Sequence, residues 1–239
     1  MLFLESNLDA PDESLALDEA LLEQAERNDS NQEWLRIWIP RTLAIVVGRS
    51  SRVADEVNVE LAESLHIPIV RRSSGGAAVV IGPGCVAYSL ILDCVRRPNL
   101  TLIDAAHQFV MQRMIVALKE LDARIETNGI SDLVVGDRKI SGNSLRYRRK
   151  FLLYHGTLLA DMDLDLVDQL LKHPPREPAY RHRRRHSDFM ANIQLPSQVI
   201  IEQLRSAWIC DEICRSVPIQ LVEQFLRERF QNSIWNLQR

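Results

Sequence analysis

RRSSGGAAVVIGPGCVAYSLIL, residues 71–92, contains two adjacent arginines and two closely spaced pairs of glycines among apolar runs. The arginines end the apolar run 67–70, and the first glycine pair separates them from the β-branched run 77–81. Short apolar runs bounded by glycine are typical of β-strands joined by tight turns. This part of the chain therefore predicts a strand, a tight glycine turn, a second strand and, after Gly82-Pro83-Gly84, a third strand that is buried.

The turn at residues 72–77, here called the glycine corner, has the composition of an anion-binding site. Glycine leaves its backbone N–H group uncovered, so an anion can approach where a Cβ atom would block it. Arg71 and Arg72 make the corner electropositive. We therefore expect an anionic group to bind at this corner.

A single lysine stands within a second informative stretch, residues 132–157. Lys139 follows Gly136-Asp137, a pair that favours a two-residue hairpin connection. Taken singly, such a lysine would more often lie on the surface, and a glycine pair would more often be a simple turn. Our hypothesis is that Lys139 and the glycine corner face each other across one site for an acyl-nucleotide.

Composition limits the class of protein. The 239 residues carry a net charge of −3, which gives no general attraction to nucleic acid or to an anionic membrane. No apolar run approaches the roughly 18 to 20 residues needed to cross a bilayer, and the acidic N-terminus does not resemble a signal peptide. Four cysteines without a CxxC pair indicate reduced thiols and no metal site. We therefore expect a cytoplasmic protein.

The predicted strands are grouped and do not alternate regularly with helices. Helices are predicted over residues 15–26, 53–65, 103–121 and 164–171. Strands are predicted over residues 35–39, 43–47, 124–126, 133–135, 138–140 and 151–159. A capping box at Thr101 and Asp104 is expected to open the long helix. The grouping predicts an α+β fold with a mixed, largely antiparallel sheet flanked by helices.

Two further helices are predicted after Pro196, over residues 197–214 and 218–230. We divide the chain into a catalytic domain, residues 1–195, and a C-terminal helical extension, residues 196–239. The extension is too short to form an accessory domain of ordinary size.

Seven blocks of sequence, in the same order, resemble the lipoate–protein ligase A family, part of the wider group of biotin/lipoate A/B protein ligases. The blocks are LALDEALL (15–22), VGR (47–49), EVN (56–58), RRSSGGAAV (71–79), DLVV (132–135), DRKISGNS (137–144) and HGTLL (155–159). Together they are far more specific than any single motif. The resemblance implies the fold of class II aminoacyl-tRNA synthetase and biotin protein ligase catalytic domains.

The resemblance also implies a reaction. Enzymes of this family activate lipoate or octanoate with ATP and Mg²⁺ to an acyl-adenylate and pass the acyl group to a lysine of a carrier protein. The implied partner is a lipoyl carrier domain or a glycine-cleavage H-like protein, with a separate accessory subunit as a further possibility. Lys139 would be the catalytic lysine. By resemblance the other pocket residues would be Arg49, Arg71, Arg72, Ser74, Gly75, Gly76, Ala77, Asp132, Ser141, Gly142 and His155.

The chain departs from the family pattern at several positions. It has Ser73 and Ala77 where the ligases have a third arginine and a third glycine, and Ile81-Gly82 where they have a His-Asp pair. Gly82-Pro83-Gly84 instead resembles the related octanoyltransferases, which form a thioester on a cysteine and need no ATP. The loop that would carry that cysteine, residues 127–131, has none, so a ligase is favoured. An ATP-independent transferase and a catalytically reduced homologue that only binds lipoyl groups are the alternatives.

Cys85 and an arginine-rich loop also need an interpretation. Cys85 follows the second glycine turn, and we expect a buried, inert thiol there. The arginine-rich loop, residues 176–186, could dock an acidic carrier surface, bind ATP phosphates, or be simply solvated.

Overall fold

Two β-sheets form the centre of the computed structural model, which describes residues 1–4, 6, 8, 10–27 and 32–238. Among these residues, eight strands form one sheet in the order β11-β1-β2-β6-β10-β9-β8-β7, and three form the other in the order β4-β3-β5. The strands are β1 (Leu2–Leu4), β2 (Trp34–Trp38), β3 (Ala44–Val47), β4 (Ile69–Arg71), β5 (Val79–Ile81), β6 (Cys85–Asp93), β7 (Ile125–Asn128), β8 (Asp132–Val135), β9 (Arg138–Tyr147), β10 (Phe151–Leu159) and β11 (Glu212–Cys214).

Helices cover both sheets. The α-helices are α1 (Pro11–Arg27), α2 (Val53–Glu56), α3 (Val59–Ser64), α4 (Ile103–Lys119), α5 (Leu164–Leu170), α6 (His186–Phe189), α7 (Ser197–Ala207), α8 (Ile219–Phe225) and α9 (Ser233–Leu237). Short 3₁₀-helices lie at Pro98–Thr101 and Ala179–Arg181, and a π-helix at Leu226–Phe230 follows α8. Within the described residues, no helix is both long and apolar enough to span a bilayer.

The large sheet is mostly antiparallel. Its central strands β6 and β10 pair along nine residues each, and β9 pairs on the other side of β10. Strand β1 is the exception because it runs parallel to both of its neighbours, β2 and β11. This architecture confirms the predicted α+β class with its mixed, largely antiparallel sheet.

Apolar side chains on the two faces of the large sheet belong to two separate core clusters. In β10, Leu153 and Leu159 join the cluster that contains α1 and the small sheet. Leu152 and Leu158 join the cluster that contains α4 and α7. Alternate residues of a strand point to opposite faces, which explains this division. Strand β10 is therefore buried on both faces between two layers of packed side chains.

The small sheet corrects one prediction. The strands before and after the glycine corner were expected to be joined by a tight turn, but β3 lies between them in the sheet. Strand β4 runs parallel to β3, whereas β5 runs antiparallel to it. The corner therefore crosses over the carboxyl end of β3, and this crossing decides which backbone groups it meets.

Four local predictions are also wrong in detail. The helix expected over residues 53–65 breaks at Val57, which bridges to Leu171 and separates α2 from α3. The capping box does not form, because Thr101 Oγ1 donates to the carbonyl of Pro98 and Leu102 precedes the helix. The helix expected over residues 197–214 ends at Ala207, and β11 follows it. Strand β9 continues seven residues beyond the predicted end at Ile140, to Tyr147.

Candidate active site

The glycine corner is fixed to the end of β3 by backbone contacts. The N–H of Arg49 donates to the carbonyl of Ser74 at 2.8 Å. The carbonyl of Gly76 lies directly against Gly48, so a Cβ atom added to Gly48 would be 1.9 Å from that oxygen. Gly76 has φ of +91°, which a residue with a side chain rarely adopts. Two glycines from distant parts of the chain are thus needed for the same crossing.

Arg72 holds the corner from within. Its guanidinium is buried and donates to the carbonyls of Val46 at 3.0 Å, Gly75 at 3.1 Å and Ala77 at 2.9 Å. It also donates to Ser74 Oγ at 3.2 Å. Burial lowers the pKa of Arg72 to about 10. Three corner residues therefore share one cation, whose charge stays under the exposed backbone of the corner.

Arg71 lies in a different environment from the expected phosphate contact. Its side chain is fully buried, and its N–H groups donate to protein carbonyls at 2.6–3.1 Å, those of Gly48, Ser51, Trp235, Asn236 and Gln238. The backbone is held as well, because Asn236 Oδ1 accepts from Arg71 N and Trp235 Nε1 donates to Arg71 O. Arg71 thus fastens the C-terminal helix α9 to the strand that leads into the corner. We assign it a supporting position behind the corner.

Replacing Arg71 by methionine is expected to lower the free energy of unfolding by about 3–5 kcal/mol, because several buried carbonyls lose their donor at once. Chemical denaturation measures this loss. Arg52→Met is the matched control, since the Arg52 side chain is exposed and forms a long ion pair, at 3.6 Å, with Asp55; a change within about 0.5 kcal/mol is expected. A loss below about 1 kcal/mol in Arg71→Met would contradict this supporting position.

His155 connects the corner to the large sheet. Its Nε2 lies 2.5 Å from Ser74 Oγ, and its Nδ1 lies 3.8 Å from Asp18 Oδ2. Asp18 is buried on α1 and pairs with Arg36 at 2.7 Å. Asp18 is not among the site residues that the sequence predicted. An amphipathic pattern marks which face of a helix is buried, but it does not mark a buried carboxylate whose partner lies on another element.

Lys139 projects from a bulge at the start of β9. Leu133 faces Ser141 and Val134 faces Lys139 across the β8–β9 pair, so Ile140 is the extra residue of the bulge. The Lys139 side chain is 25% exposed, and its Nζ lies 2.8 Å from Asp132 Oδ1. The predicted Gly136-Asp137 connection forms the hairpin turn before it, with Gly136 at φ of +63°.

Asp132 has a second partner that the sequence did not reveal. Tyr180 Oη donates to Asp132 Oδ2 at 2.8 Å, so the carboxylate is held from both sides. Burial and then the nearby carboxylate raise the pKa of Tyr180, which keeps its hydroxyl a donor. Asp132, which Tyr180 holds in place, therefore fixes the position of the Lys139 amine.

The Lys139 amine and the glycine corner reach the same face of β9. A Cβ atom added to Gly142 would lie 2.9 Å from Lys139 Nζ, so the lysine extends across this glycine. Ser144, two residues further, donates from Oγ to the carbonyl of Gly75 at 3.0 Å. Residues two apart in a strand share a face and are separated by about 7 Å. The amine and the corner therefore flank one short length of β9.

The other predicted site residues divide into two groups. Arg49 is exposed beside the corner, and its side chain is available on that surface. Ser141 is buried, and its hydroxyl accepts a hydrogen bond from Asn143 Nδ2 at 3.2 Å. Asn143 also accepts a hydrogen bond from Tyr88 Oη at 2.5 Å. Ser141 is thus part of a buried polar network beneath β9, whereas Arg49 stands at the open side.

Comparison with known proteins agrees with the sequence blocks and the fold. The family described as "Lipoyl protein ligase A/B catalytic domain" matches residues 10–212. The chain belongs to this family. A lipoate-protein ligase, LplJ, from Bacillus subtilis is 28% identical over 99% of the chain and 73% of its own length. Lipoate–protein ligase 1 from Staphylococcus aureus is 30% identical over 79% of the chain, but over only 55% of its own length.

An octanoyltransferase and two solved ligase structures are also similar to this chain. The octanoyltransferase LipM from Brevibacillus brevis is 24% identical over 96% of both chains. A bi-partite lipoate protein ligase from Thermoplasma acidophilum shares the fold with a TM-score of 0.82 and 19% identity, covering the whole chain and 97% of its own. A lipoate-protein ligase A structure bound with ATP shares it with a TM-score of 0.75 and 20% identity, over 99% of the chain and 98% of its own.

In this member of the family, the arginine-rich loop is packed against the hairpin that carries Lys139. Arg184 donates to Asp137 Oδ2 at 2.7 Å and to its carbonyl at 2.9 Å. Arg181 is buried over the ring of Phe189. Two residues of the loop, His182 and Arg183, have φ of +52° and +58°. Strained backbone of this kind often occurs at functional sites. Part of the loop is thus packed around Arg181, whereas residues 182, 183 and 185 are exposed.

Proposed function

We propose that the chain activates lipoate or octanoate with ATP and transfers the acyl group to a lysine of a lipoyl carrier domain. The observation that carries the proposal is the placement of Lys139 on the same face of β9 that Ser144 joins to the glycine corner. An amine and a set of open backbone amides on one surface suit a ligand that is anionic at one end.

The first step brings two anions together. The acyl carboxylate attacks the α-phosphorus of ATP, a P–O bond forms, and pyrophosphate leaves with the electrons of the bond that breaks. Negative charge accumulates at phosphorus, so donors already in position lower the barrier. The amides of Gly75, Gly76 and Ala77 and the Lys139 ammonium supply such donors. Mg²⁺ enters with ATP as part of the substrate.

The second step consumes the acyl-adenylate. The amine of the carrier lysine attacks the acyl carbonyl, AMP leaves, and the amine loses a proton. The carbonyl oxygen becomes negative in this step too, and the Lys139 ammonium would stabilise it as well. One constellation thus serves both steps, with Asp132 and Tyr180 holding the lysine.

The partner would be a lipoyl carrier domain, or an H-like carrier protein of the glycine-cleavage type. A separate accessory subunit that assists adenylation is part of the proposal, because the Thermoplasma ligase with the same fold is described as bi-partite. The arginine-rich loop is placed at the Lys139 hairpin, where it could contact ATP phosphates. We place the reaction in the cytoplasm, where ATP is available and thiols stay reduced.

A second candidate is ATP-independent transfer from acyl-carrier protein, which the similarity to LipM favours. That chemistry uses a cysteine thiolate. Cys85 is fully buried, and burial raises the pKa of its thiol to about 12, so little thiolate is present at neutral pH. The thiol is buried, as the sequence predicted. We therefore favour the ligase.

Isotopic exchange of pyrophosphate into ATP in the presence of lipoate tests the proposal. The ligase predicts exchange that depends on both lipoate and Mg-ATP, with or without an added accessory subunit. Acylation of a carrier domain from acyl-carrier protein in the absence of ATP would instead establish the transferase. Lipoate binding with neither activity would establish a catalytically reduced homologue and contradict the ligase.

A further inference from the structure

Asp18 is a buried carboxylate, and one side chain, that of His155, lies between it and the glycine corner. Oδ1 accepts hydrogen bonds from Arg36 Nη1 at 2.7 Å and from Ser89 Oγ at 2.6 Å. Oδ2 faces His155 Nδ1 at 3.8 Å, longer than a hydrogen bond but within electrostatic contact. On its other side, His155 Nε2 lies 2.5 Å from Ser74 Oγ. One oxygen of Asp18 thus accepts hydrogen bonds from Arg36 and Ser89, and the other faces His155.

We infer that Asp18 is a positioning residue, which selects the tautomer of His155 that leaves Nε2 free to accept a hydrogen bond from Ser74. The inference deepens the proposed function, because it concerns the same site and rests on it for its effect on turnover. A carboxylate can only accept, so the ring nitrogen that faces it, Nδ1, carries a proton, and the proposed tautomer keeps a lone pair on Nε2.

The hydroxyl of Ser74 fits this tautomer. Its oxygen already accepts a hydrogen bond from Arg72 Nε at 3.2 Å. The hydroxyl hydrogen is therefore directed elsewhere, and Nε2 of His155 is the acceptor within reach. With a proton on Nε2, Ser74 Oγ would accept from both Arg72 and His155, which its two lone pairs allow, but the hydroxyl hydrogen would lose His155 as its acceptor.

Arg36 keeps Asp18 in its ionised form, which this arrangement needs. Burial by itself would raise the pKa of the Asp18 carboxyl, but Arg36, followed by His155 and Ser89, outweighs burial and lowers it. The Arg36 guanidinium stacks on Trp38 with 5.2 Å from its central carbon to the ring centroid. The ion pair is 1% and 4% exposed at its two side chains, so water does not compete for the carboxylate.

Asp18→Asn gives a directed test. Arg36 and Ser89 both donate to the Oδ1 position, so the amide oxygen of Asn takes that place and its NH₂ group turns toward His155. An amide N–H facing Nδ1 favours the opposite tautomer, with the proton on Nε2. Ser89→Ala is the matched control, because it removes one hydrogen bond to the same carboxylate and leaves Oδ2 unchanged.

The ring ¹⁵N shifts of His155 report the tautomer without any assay of activity. The chain has 6 histidines, so the signals are assigned with His155→Gln. We expect a proton on Nδ1 in the unmodified protein and in Ser89→Ala, and on Nε2 in Asp18→Asn. A proton on Nε2 in the unmodified protein would overturn the inference. The same conclusion would follow from an Asp18→Asn variant that folds and keeps the Nδ1 proton.

Steady-state kinetics separate positioning from stability. In pyrophosphate exchange, Asp18→Asn is expected to lower kcat about ten- to a hundredfold, because small displacements of donors cost rate. The KM for lipoate is expected to change less than about threefold. If Asp18→Asn folds and switches the tautomer of His155 but keeps an unchanged kcat, the proposed effect of the tautomer on the glycine corner is wrong. If the unmodified protein shows no exchange either alone or with an added accessory subunit, the proposed function fails, while the ¹⁵N measurement still decides the tautomer.

Discussion

Lys139→Ala is expected to lower acyl-adenylate formation about 10²- to 10³-fold and to leave the protein folded. The loss follows from removing one preorganised donor at the position where charge accumulates on phosphorus and on the acyl carbonyl. The fold is expected to survive, because the ion pair with Asp132 is partly exposed at Lys139 and Tyr180 still donates to the carboxylate. Pyrophosphate exchange measures the rate, and circular dichroism with thermal unfolding measures the fold.

Lys119→Ala is the matched control for this substitution, since Lys119 is an exposed lysine at the end of α4. It is expected to keep the full rate. Lys139→Arg is expected to recover only part of the lost rate, because a planar guanidinium does not reproduce a compact ammonium next to Gly142. If Lys139→Ala keeps more than a tenth of the rate, the catalytic role proposed for Lys139 is wrong.

Gly48→Ala is expected to disrupt the corner although residue 48 contacts no substrate in the proposal. The added Cβ atom would lie 1.9 Å from the carbonyl oxygen of Gly76 and 3.0 Å from its carbon, so backbone must move. Because the moved residue is in the corner, we expect a loss of about 1–3 kcal/mol in the free energy of unfolding and a rate lowered about a hundredfold. Chemical denaturation and pyrophosphate exchange measure the two effects.

The control for Gly48→Ala is Gly75→Ala, in the corner itself. A Cβ atom at Gly75 would meet no heavy atom within 4 Å. Its free energy of unfolding is therefore expected to stay within about 0.5 kcal/mol of the unmodified protein. Equal stability of the two variants would show that the crossing over β3 does not depend on Gly48.

Features set by local sequence were predictable. Strand β10 begins and ends where its apolar run predicts, at Phe151 and Leu159. The turn at Gly136-Asp137 also forms as expected, because the pair itself supplies the backbone conformation that a two-residue connection needs. The Lys139 hairpin could be placed for this reason.

Features set by contacts between distant residues were not predictable in the same way. The order β4-β3-β5 depends on a parallel pairing whose register no local pattern encodes. Three partners of Arg71 lie at the far end of the chain, among them Asn236, which is 165 residues away. From sequence alone, an arginine at the end of a strand is expected to face solvent. Only the packing of α9 shows that Arg71 is buried. Strand β11 was missed because its three residues follow a helical pattern without interruption.

The division into a catalytic domain and a C-terminal extension remains a prediction. The structure shows contacts of α7 with α4, of β11 with β1 and of α8 with α1, all between residues after 195 and the rest of the chain. Arg239 lies outside the described residues. Whether residues 1–195 fold alone can be measured directly, and the partners of Arg71 in α9 argue that they would be destabilised.

A crystal structure of the protein with lipoate and Mg-ATP tests the central claim most directly. The account predicts that Lys139 Nζ lies within about 3.2 Å of a phosphate or acyl carbonyl oxygen of the ligand, with the backbone amides of residues 75–77 donating to the same ligand. A ligand bound elsewhere, with Lys139 still paired only with Asp132, would contradict it.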